Sequence, residues 1–174
     1  MVEYYIYLIS SLPMLHFGGN LPFSLENFLG MCAGLIPERD LILLKTILDM
    51  DIYFYQEENL VLKKWRAFNI ALNNELVKIR AGRKHIDPAL YLRPDGYIGY
   101  ELMHIAMAAH RSPAPIEGEK ILDQARWHFL DELSLGHYFD LECLIIYLEK
   151  LRILKRWMRI NTADKPALLE SVLT

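Results

Sequence analysis

The residues best suited to chemistry are Glu101 and His104, in the stretch Glu101-Leu-Met-His104. On a helix this spacing places a carboxylate and an imidazole one turn apart on the same face, as in four-helix proteins that bind two iron ions. Such a site needs this motif twice together with two further glutamates, and the sequence has it once. None of the five other histidines has a second histidine or a cysteine four residues away: His16, His85, His110, His128 and His137. The sequence therefore predicts no metal site.

Other signatures of enzymes are missing from the sequence as well. It contains no glycine-rich nucleotide loop and no Gly-x-Ser-x-Gly nucleophile turn. Cys32 and Cys143 follow no ligand spacing and lie in apolar helical surroundings, which predicts reduced core residues in a cytosolic protein. Four aromatic residues at helical positions are predicted to be core rather than a ligand cage: Trp65, Phe68, Trp127 and Phe129. We expect a protein that is not an enzyme and needs no cofactor.

Composition places the chain among globular proteins. Its 174 residues are 53% hydrophobic and 24% charged, and the net charge of −3 gives no general attraction to nucleic acid. Residues 1–60 hold eight acidic and two basic residues, whereas residues 61–84 hold seven basic residues and one acidic residue. This distribution predicts charge complementarity inside the protein, and we expect no nucleic-acid partner.

The N-terminal run of residues 4–15 is apolar, but its features do not suit a signal peptide or a membrane span. Glu3 precedes it, Pro13 interrupts it, and no lysine or arginine comes before Arg39. A run of about twelve residues is too short to cross a bilayer. We therefore expect a cytoplasmic protein without direct membrane insertion.

The elements that position these residues are predicted to be helices, and the longest runs from Asn59 to Arg83. Apolar residues follow one another at steps of three and four, which forms one stripe on a helix: Val61, Trp65, Phe68, Leu72, Leu76 and Ile79. Ile70 and Val77 lie nearly opposite, which predicts a central helix packed on two sides. Asn59 is predicted to cap its start and Gly82 to end it.

Polar residues lie beside this apolar stripe. Asn69, Asn73 and Arg80 fall in one narrow wedge of the helix, and Asn74 is adjacent. Burying such groups without partners costs about 1–3 kcal/mol each. We therefore predict an internal polar network of Asn69, Asn73, Asn74 and Arg80, with acids from the first 60 residues as partners.

The rest of the chain predicts an all-α bundle of about six to seven helices. Residues 4–12 suit either a strand or a short buried helix. Caps and breakers predict further helices that begin at Ser24, Pro37, Glu101, Glu117, Asp140 and Asp164. The break at residues 112–115 suggests two packed groups, 1–111 with the central helix 59–82, and 116–174, in one compact domain.

The end of the helix that begins at Asp140 is rich in basic residues. Arg152, Arg156 and Arg159 lie in its last part together with two lysines, near the negative end of the helix dipole. Two interpretations remain open: a solvated basic end stabilised by the helix, or a docking patch for an acidic partner.

Several stretches resemble a family of bacterial proteins of unknown function whose members are typically encoded within V-type (A/V-type) ATPase operons. They are residues 4–13 (Tyr-Tyr-Ile-Tyr-Leu-Ile-Ser-Ser-Leu-Pro), 22–29 (Pro-Phe-Ser-Leu-Glu-Asn-Phe-Leu), 72–81 (Leu-Asn-Asn-Glu-Leu-Val-Lys-Ile-Arg-Ala), and Phe139-Asp140 followed by Tyr147, Leu151, Leu154 and Arg156-Trp157. More distantly, Asn74, Arg80 and Ala81 resemble a helix motif of the C (or d) subunit of rotary ATPases. That subunit is a helical funnel that seats the central stalk on the rotor ring.

This resemblance implies a non-catalytic subunit that binds the central stalk or the rotor ring. It would be peripheral on the cytoplasmic face of the inner membrane, and Arg152, Arg156 and Arg159 would face an acidic partner. One alternative is a factor that binds the ATPase transiently during assembly or regulation, and another is an enzyme of unknown type. The oligomeric state is left open.

Overall fold

Seven α-helices make up the described part of the protein in a computed structural model, which describes residues 5–49, 59–94, 97, 99 and 101–163. Their bounds are α1 Ile6–Ser11, α2 Leu25–Cys32, α3 Glu38–Asp49, α4 Leu60–Lys84, α5 Glu101–Arg111, α6 Pro115–Leu133 and α7 Leu141–Thr162, with a 3-10 turn at Pro88–Leu90. No β-strand occurs in these ranges, so the all-α prediction is confirmed. None of these helices combines the length and the apolar character that crossing a membrane requires.

Three predicted helix starts are confirmed by side-chain caps. The hydroxyl of Ser24 accepts a hydrogen bond from the backbone N–H of Asn27, 3.1 Å away. The side-chain oxygen of Asn59 accepts from two backbone N–H groups at the start of α4, and a carboxylate oxygen of Asp140 accepts from the N–H of Cys143. These caps satisfy N–H groups that the first helical turn leaves unpaired.

The ambiguous run at residues 4–12 contains a helix. Leu8 of α1 is buried, and the backbone N–H of Tyr5 donates to the carbonyl of Phe139 just before α7. The hydroxyl of Tyr147 in α7 donates to the carbonyl of Pro13, at 2.9 Å. The first segment is thus held by contacts with residues more than 130 positions later in the chain.

The predicted end of the central helix at Gly82 is wrong. Helix α4 continues to Lys84, and His85 takes the left-handed conformation with φ of 53°. The N–H of Ile86 donates to the carbonyl of Ala81 and the N–H of His85 to that of Gly82, the two bonds of a Schellman motif. These bonds satisfy carbonyls at the end of α4, and Gly82 stays inside the helix.

Packing involves both long helices, α4 and α7. Helix α4 contacts α5, α6 and α7, and its predicted stripe is buried from Val61 to Leu76, with Ile70 buried on the other side. Helix α7 contacts α2, α3, α4 and α6. The central position predicted for α4 is therefore shared with α7, which joins the first three helices to the rest. The division into groups 1–111 and 116–174 stays a prediction.

Helices α5 and α6 pack closely because α6 carries a glycine where they meet. A Cβ atom at Gly118 would lie 2.6 Å from the carbonyl oxygen of Ala109, well inside van der Waals contact. Gly118 therefore sets the distance between the two helices.

The short helix predicted to begin at Asp164 lies outside the described residues.

Candidate partner-binding surface

A buried carboxylate, Asp123 of α6, organises the polar interior next to α7. Only 1% of Asp123 is exposed. Arg126 donates to it at 2.6 Å, Arg156 donates to both of its oxygens at 3.0 and 2.9 Å, and the indole N–H of Trp157 donates at 3.0 Å. An acid this deeply buried requires such partners, because an unpaired buried charge is strongly destabilising.

The same cluster extends to the central helix through Asn69. Arg126 donates through Nε to the side-chain oxygen of Asn69, at 3.0 Å, and the Asn69 amide donates to the carbonyl of Trp65, at 2.8 Å. At the other end, Arg156 also forms an ion pair with Glu119. We call this set the Asp123 cluster; it connects α4, α6 and α7 and comprises Asn69, Glu119, Asp123, Arg126, Arg156 and Trp157.

The four residues predicted to form one internal network lie in different surroundings. Asn69 belongs to the Asp123 cluster. Asn74 is buried and binds the backbone of Arg93 twice, donating to its carbonyl at 2.7 Å and accepting from its N–H at 3.0 Å. Asn73 is half-buried and Arg80 is exposed. The half-buried Arg126 of α6 has the role in the polar network that the prediction gave to Arg80, and its acid partner is Asp123.

The missed members of the cluster had a signal in the sequence. Asp123 and Arg126 lie three positions apart on α6, among Leu122, Trp127 and Leu130, which are all buried. An acid and a base one turn apart on an otherwise apolar helix face suggest a buried pair. Their contacts with Asn69 and Arg156 join residues 57 and 33 positions apart, and helical periodicity cannot reveal such contacts.

Two of the three arginines predicted to face a partner have partners within the protein. Arg156 belongs to the Asp123 cluster, with its side chain 42% exposed. Arg152 donates to the carbonyl of Ile47 in α3, at 3.2 Å, and to the buried Glu149, at 3.1 Å. Arg159 is exposed, and its side chain forms no hydrogen bond or ion pair with any residue in the described ranges.

These arginines line a groove beside the last turns of α7. Its volume is about 600 Å³. Apolar side chains from α2, α3 and the end of α7 accompany four basic residues: Leu25, Leu48, Ile160 and Ala163 with Arg152, Lys155, Arg156 and Arg159. We call it the basic groove. Lys155 lies 3.5 Å from the exposed Glu26, a surface pair that holds it weakly. Chemically, the basic groove suits a segment that carries carboxylates and a few apolar side chains.

A possible metal-binding geometry occurs at the start of α7. One ligand atom each from His137, Asp140 and Glu142 lie within 4.8 Å of one another. Every one of these side chains takes part in a hydrogen bond. Asp140 caps α7 and accepts from Nδ1 of His137 at 2.6 Å, and Glu142 accepts from the side-chain amide of Asn59. The positive end of the helix dipole disfavours a cation here. In contrast, Glu101 and His104, the motif noted in the sequence, are both exposed on α5.

The two cysteines are free thiols in the structure. Cys32 is buried and Cys143 is half-buried. Burial raises the pKa of each thiol to about 11, with the nearby Asp140 adding to the effect at Cys143. The thiolate is the reactive form, so both thiols are poor nucleophiles at neutral pH.

Comparison with known proteins finds a match in the C-terminal half. Neither a curated protein nor a solved structure matches the chain. The matching residues, 99–167, contain α5, α6 and α7, and therefore much of the Asp123 cluster and the basic residues of the groove. Over these residues the chain is similar to a family described as a protein of unknown function (DUF2764).

Proposed function

We propose that the protein is a non-catalytic subunit associated with a V-type ATPase, and that its basic groove binds an acidic segment of the central stalk or rotor ring. The observation that carries this proposal is the groove itself, which four basic and four apolar residues line together. The link to V-type ATPases comes from the sequence resemblance. The subunit would work in the cytoplasm, peripheral to the membrane, by positioning or coupling its partner.

The groove offers both the contacts and the rigidity that binding requires. Arg152 and Arg156 are held in place by buried acids, so less conformational entropy is lost when they also contact a partner. The charged groups of Arg159 and Lys155 lie at the surface, where they can contact carboxylates and speed association with an acidic surface. Leu25, Leu48 and Ile160 supply apolar area for the same segment.

The test is copurification of the ATPase with charge-reversed variants of the full chain. Lys155→Glu with Arg159→Glu reverses the two groove cations that have no buried acid, and it leaves the Asp123 cluster intact. Lys63→Glu with Lys64→Glu is the matched control, since both lysines are exposed on α4. We expect the groove variant to lose the stalk subunits and the control to retain them. Equal retention would refute the groove as the binding surface.

A second role, a transient assembly or regulatory factor, would use the same groove. The purified ATPase distinguishes the two roles. A subunit is present in stoichiometric amount in the finished complex, whereas a factor is absent from it although its deletion impairs assembly.

A further inference from the structure

Another cavity lies where the end of α4 meets the junction of α5 and α6. Its volume is about 320 Å³. Arg80 and Arg83 of α4 and His110 of α5 line it, together with Leu76 of α4 and Leu122 of α6, which are both buried. We call it the arginine pocket.

The two arginines lie on the packed side of α4. Leu76, Arg80 and Arg83 follow one another at steps of four and three residues, which places them on one face of the helix. The side chains of Arg80 and Arg83 form no hydrogen bond or ion pair with any residue that the structure describes. In contrast, Lys78 of the same helix pairs with Glu75 at 2.6 Å. The arginine pocket therefore carries two positive charges that no ion pair with a described residue offsets.

The arginine pocket and the basic groove meet at one ion pair. Glu119 of α6 lines the arginine pocket, and Arg156 of α7, which lines the basic groove, donates to the carboxylate of Glu119. Both side chains are partly exposed, so a ligand can contact them where the two cavities meet. Among the described residues that line the two cavities, six are lysine or arginine and Glu119 is the one acid: Arg80, Arg83, Arg152, Lys155, Arg156 and Arg159 are the basic ones.

We propose that the arginine pocket is a second contact site for the acidic segment that binds the basic groove. One continuous segment of the partner would cross from α7, over the pair of Arg156 and Glu119, to the end of α4. Guanidinium groups bind carboxylates through two parallel hydrogen bonds, and Arg80 and Arg83 have this capacity unused. A second contact on the same segment raises its affinity, because that contact forms within an existing complex. The inference extends the proposed function and rests on it.

The first experiment varies the length of an acidic probe. Blocked peptides of four and of twelve glutamates are titrated into the full chain at low salt, and binding is measured by calorimetry. An extended chain advances about 3.3–3.6 Å per residue, so the long peptide, at about 40 Å, can reach both cavities, whereas the short one fits in one. Arg80→Gln with Arg83→Gln should weaken binding of the long peptide about tenfold, the order expected for two surface ion pairs. Binding of the short peptide should change by no more than about twofold, because the basic groove remains.

A matched control tests whether position matters as well as charge. Lys63→Gln with Lys64→Gln removes the same charge from the same helix, but at its other end, where both lysines are exposed. This variant should bind both peptides like the unaltered protein. If it weakened the long peptide as much as the arginine variant does, general attraction would explain binding, and the arginine pocket would be refuted.

The groove variant separates this inference from the proposed function. Lys155→Glu with Arg159→Glu should weaken both peptides. If it leaves both affinities unchanged, the basic groove does not bind acidic segments, and the proposed function fails together with this inference. If it weakens both peptides but Arg80→Gln with Arg83→Gln leaves the long peptide unaffected, only the second contact site is refuted.

Removing the acid between the two cavities gives a test that loss of folding cannot mimic. Glu119→Gln removes the repulsion that a passing carboxylate meets and releases Arg156 from the pair, so the long peptide should bind about two- to threefold more tightly. Glu101→Gln is the control, because it removes the same charge at the start of α5, outside both cavities, and should leave the affinity unchanged. An unchanged or lower affinity of Glu119→Gln would show that the segment does not cross Glu119, and it would overturn the proposal.

Discussion

Replacing Asp123 by asparagine is expected to lower the free energy of unfolding by about 3 kcal/mol, the lower end of the range for breaking a buried ion pair. The side chain keeps its size, but Arg126 and Arg156 lose the negative charge that lies between them. The lower end applies because the side chain of Arg156 is 42% exposed, so water can solvate part of its charge. For a chain of this length, each kcal/mol shifts the melting temperature by about 2–4 °C. The expected decrease is therefore about 6–12 °C.

The assay is thermal and urea unfolding of the full chain, followed by circular dichroism. Glu119→Gln is the control, because Glu119 also pairs with Arg156 but lies at the surface, where such a pair contributes less than about 1 kcal/mol. Asp123→Asn combined with Arg126→Met should cost at least about 1 kcal/mol less than the sum of the single changes, since both remove the same interaction. A melting temperature within 2 °C of that of the unaltered protein, which corresponds to a loss of only about 0.5–1 kcal/mol, would show that the Asp123 cluster does not hold the three helices together. Strict additivity of the two changes would show the same.

Two further changes test the packing and the thiols. Gly118→Ala should lower the free energy of unfolding by about 1–3 kcal/mol because its Cβ would press on the carbonyl of Ala109, whereas Gly30→Ala, in open space on α2, should be neutral or raise it by up to about 1 kcal/mol. Equal effects in urea unfolding would contradict the close packing of α5 on α6. Alkylation of Cys32 and Cys143 by iodoacetamide should be slow at pH 8 and accelerate as pH rises towards 11, while the chain in urea reacts with the ordinary thiol pKa of about 9. Folding raises the pKa of both thiols. The contribution of the thiols to the free energy of unfolding is therefore complete below pH 9 and is lost as pH rises through 11, so the stability of the protein should fall over that interval.

Local features of the fold could be predicted from the sequence because they depend on neighbouring residues. Ser24, Asn59 and Asp140 cap helices as predicted, since a cap is defined by a short polar side chain and the two or three residues after it. The apolar stripe of α4 is buried for a similar reason: periodicity reports which face of a helix is apolar. The end of α4 was harder to predict, because His85 adopts the left-handed conformation, in which glycine is the usual residue.

The candidate site could be predicted only in part. The basic residues of α7 were found because they are close together in the sequence, and α2 and α3 complete their groove from more than a hundred residues away. Helical position alone could not separate Asn69, which meets Arg126, from Arg80, which is exposed where α4 nears its end. The cavity lined by Phe68, Leu102 and Phe129 combines residues from α4, α5 and α6, so no single stretch contains its pattern.

The position of α7 has a consequence for synthesis of the protein. Helices α2 and α3 pack on α7, and Tyr5 and Pro13 bond to residues beside or within it. A ribosome must therefore translate beyond Leu141 before the opening third of the chain can bury its apolar faces. Until then, the nascent N-terminal helices expose apolar surface of the kind that chaperones bind.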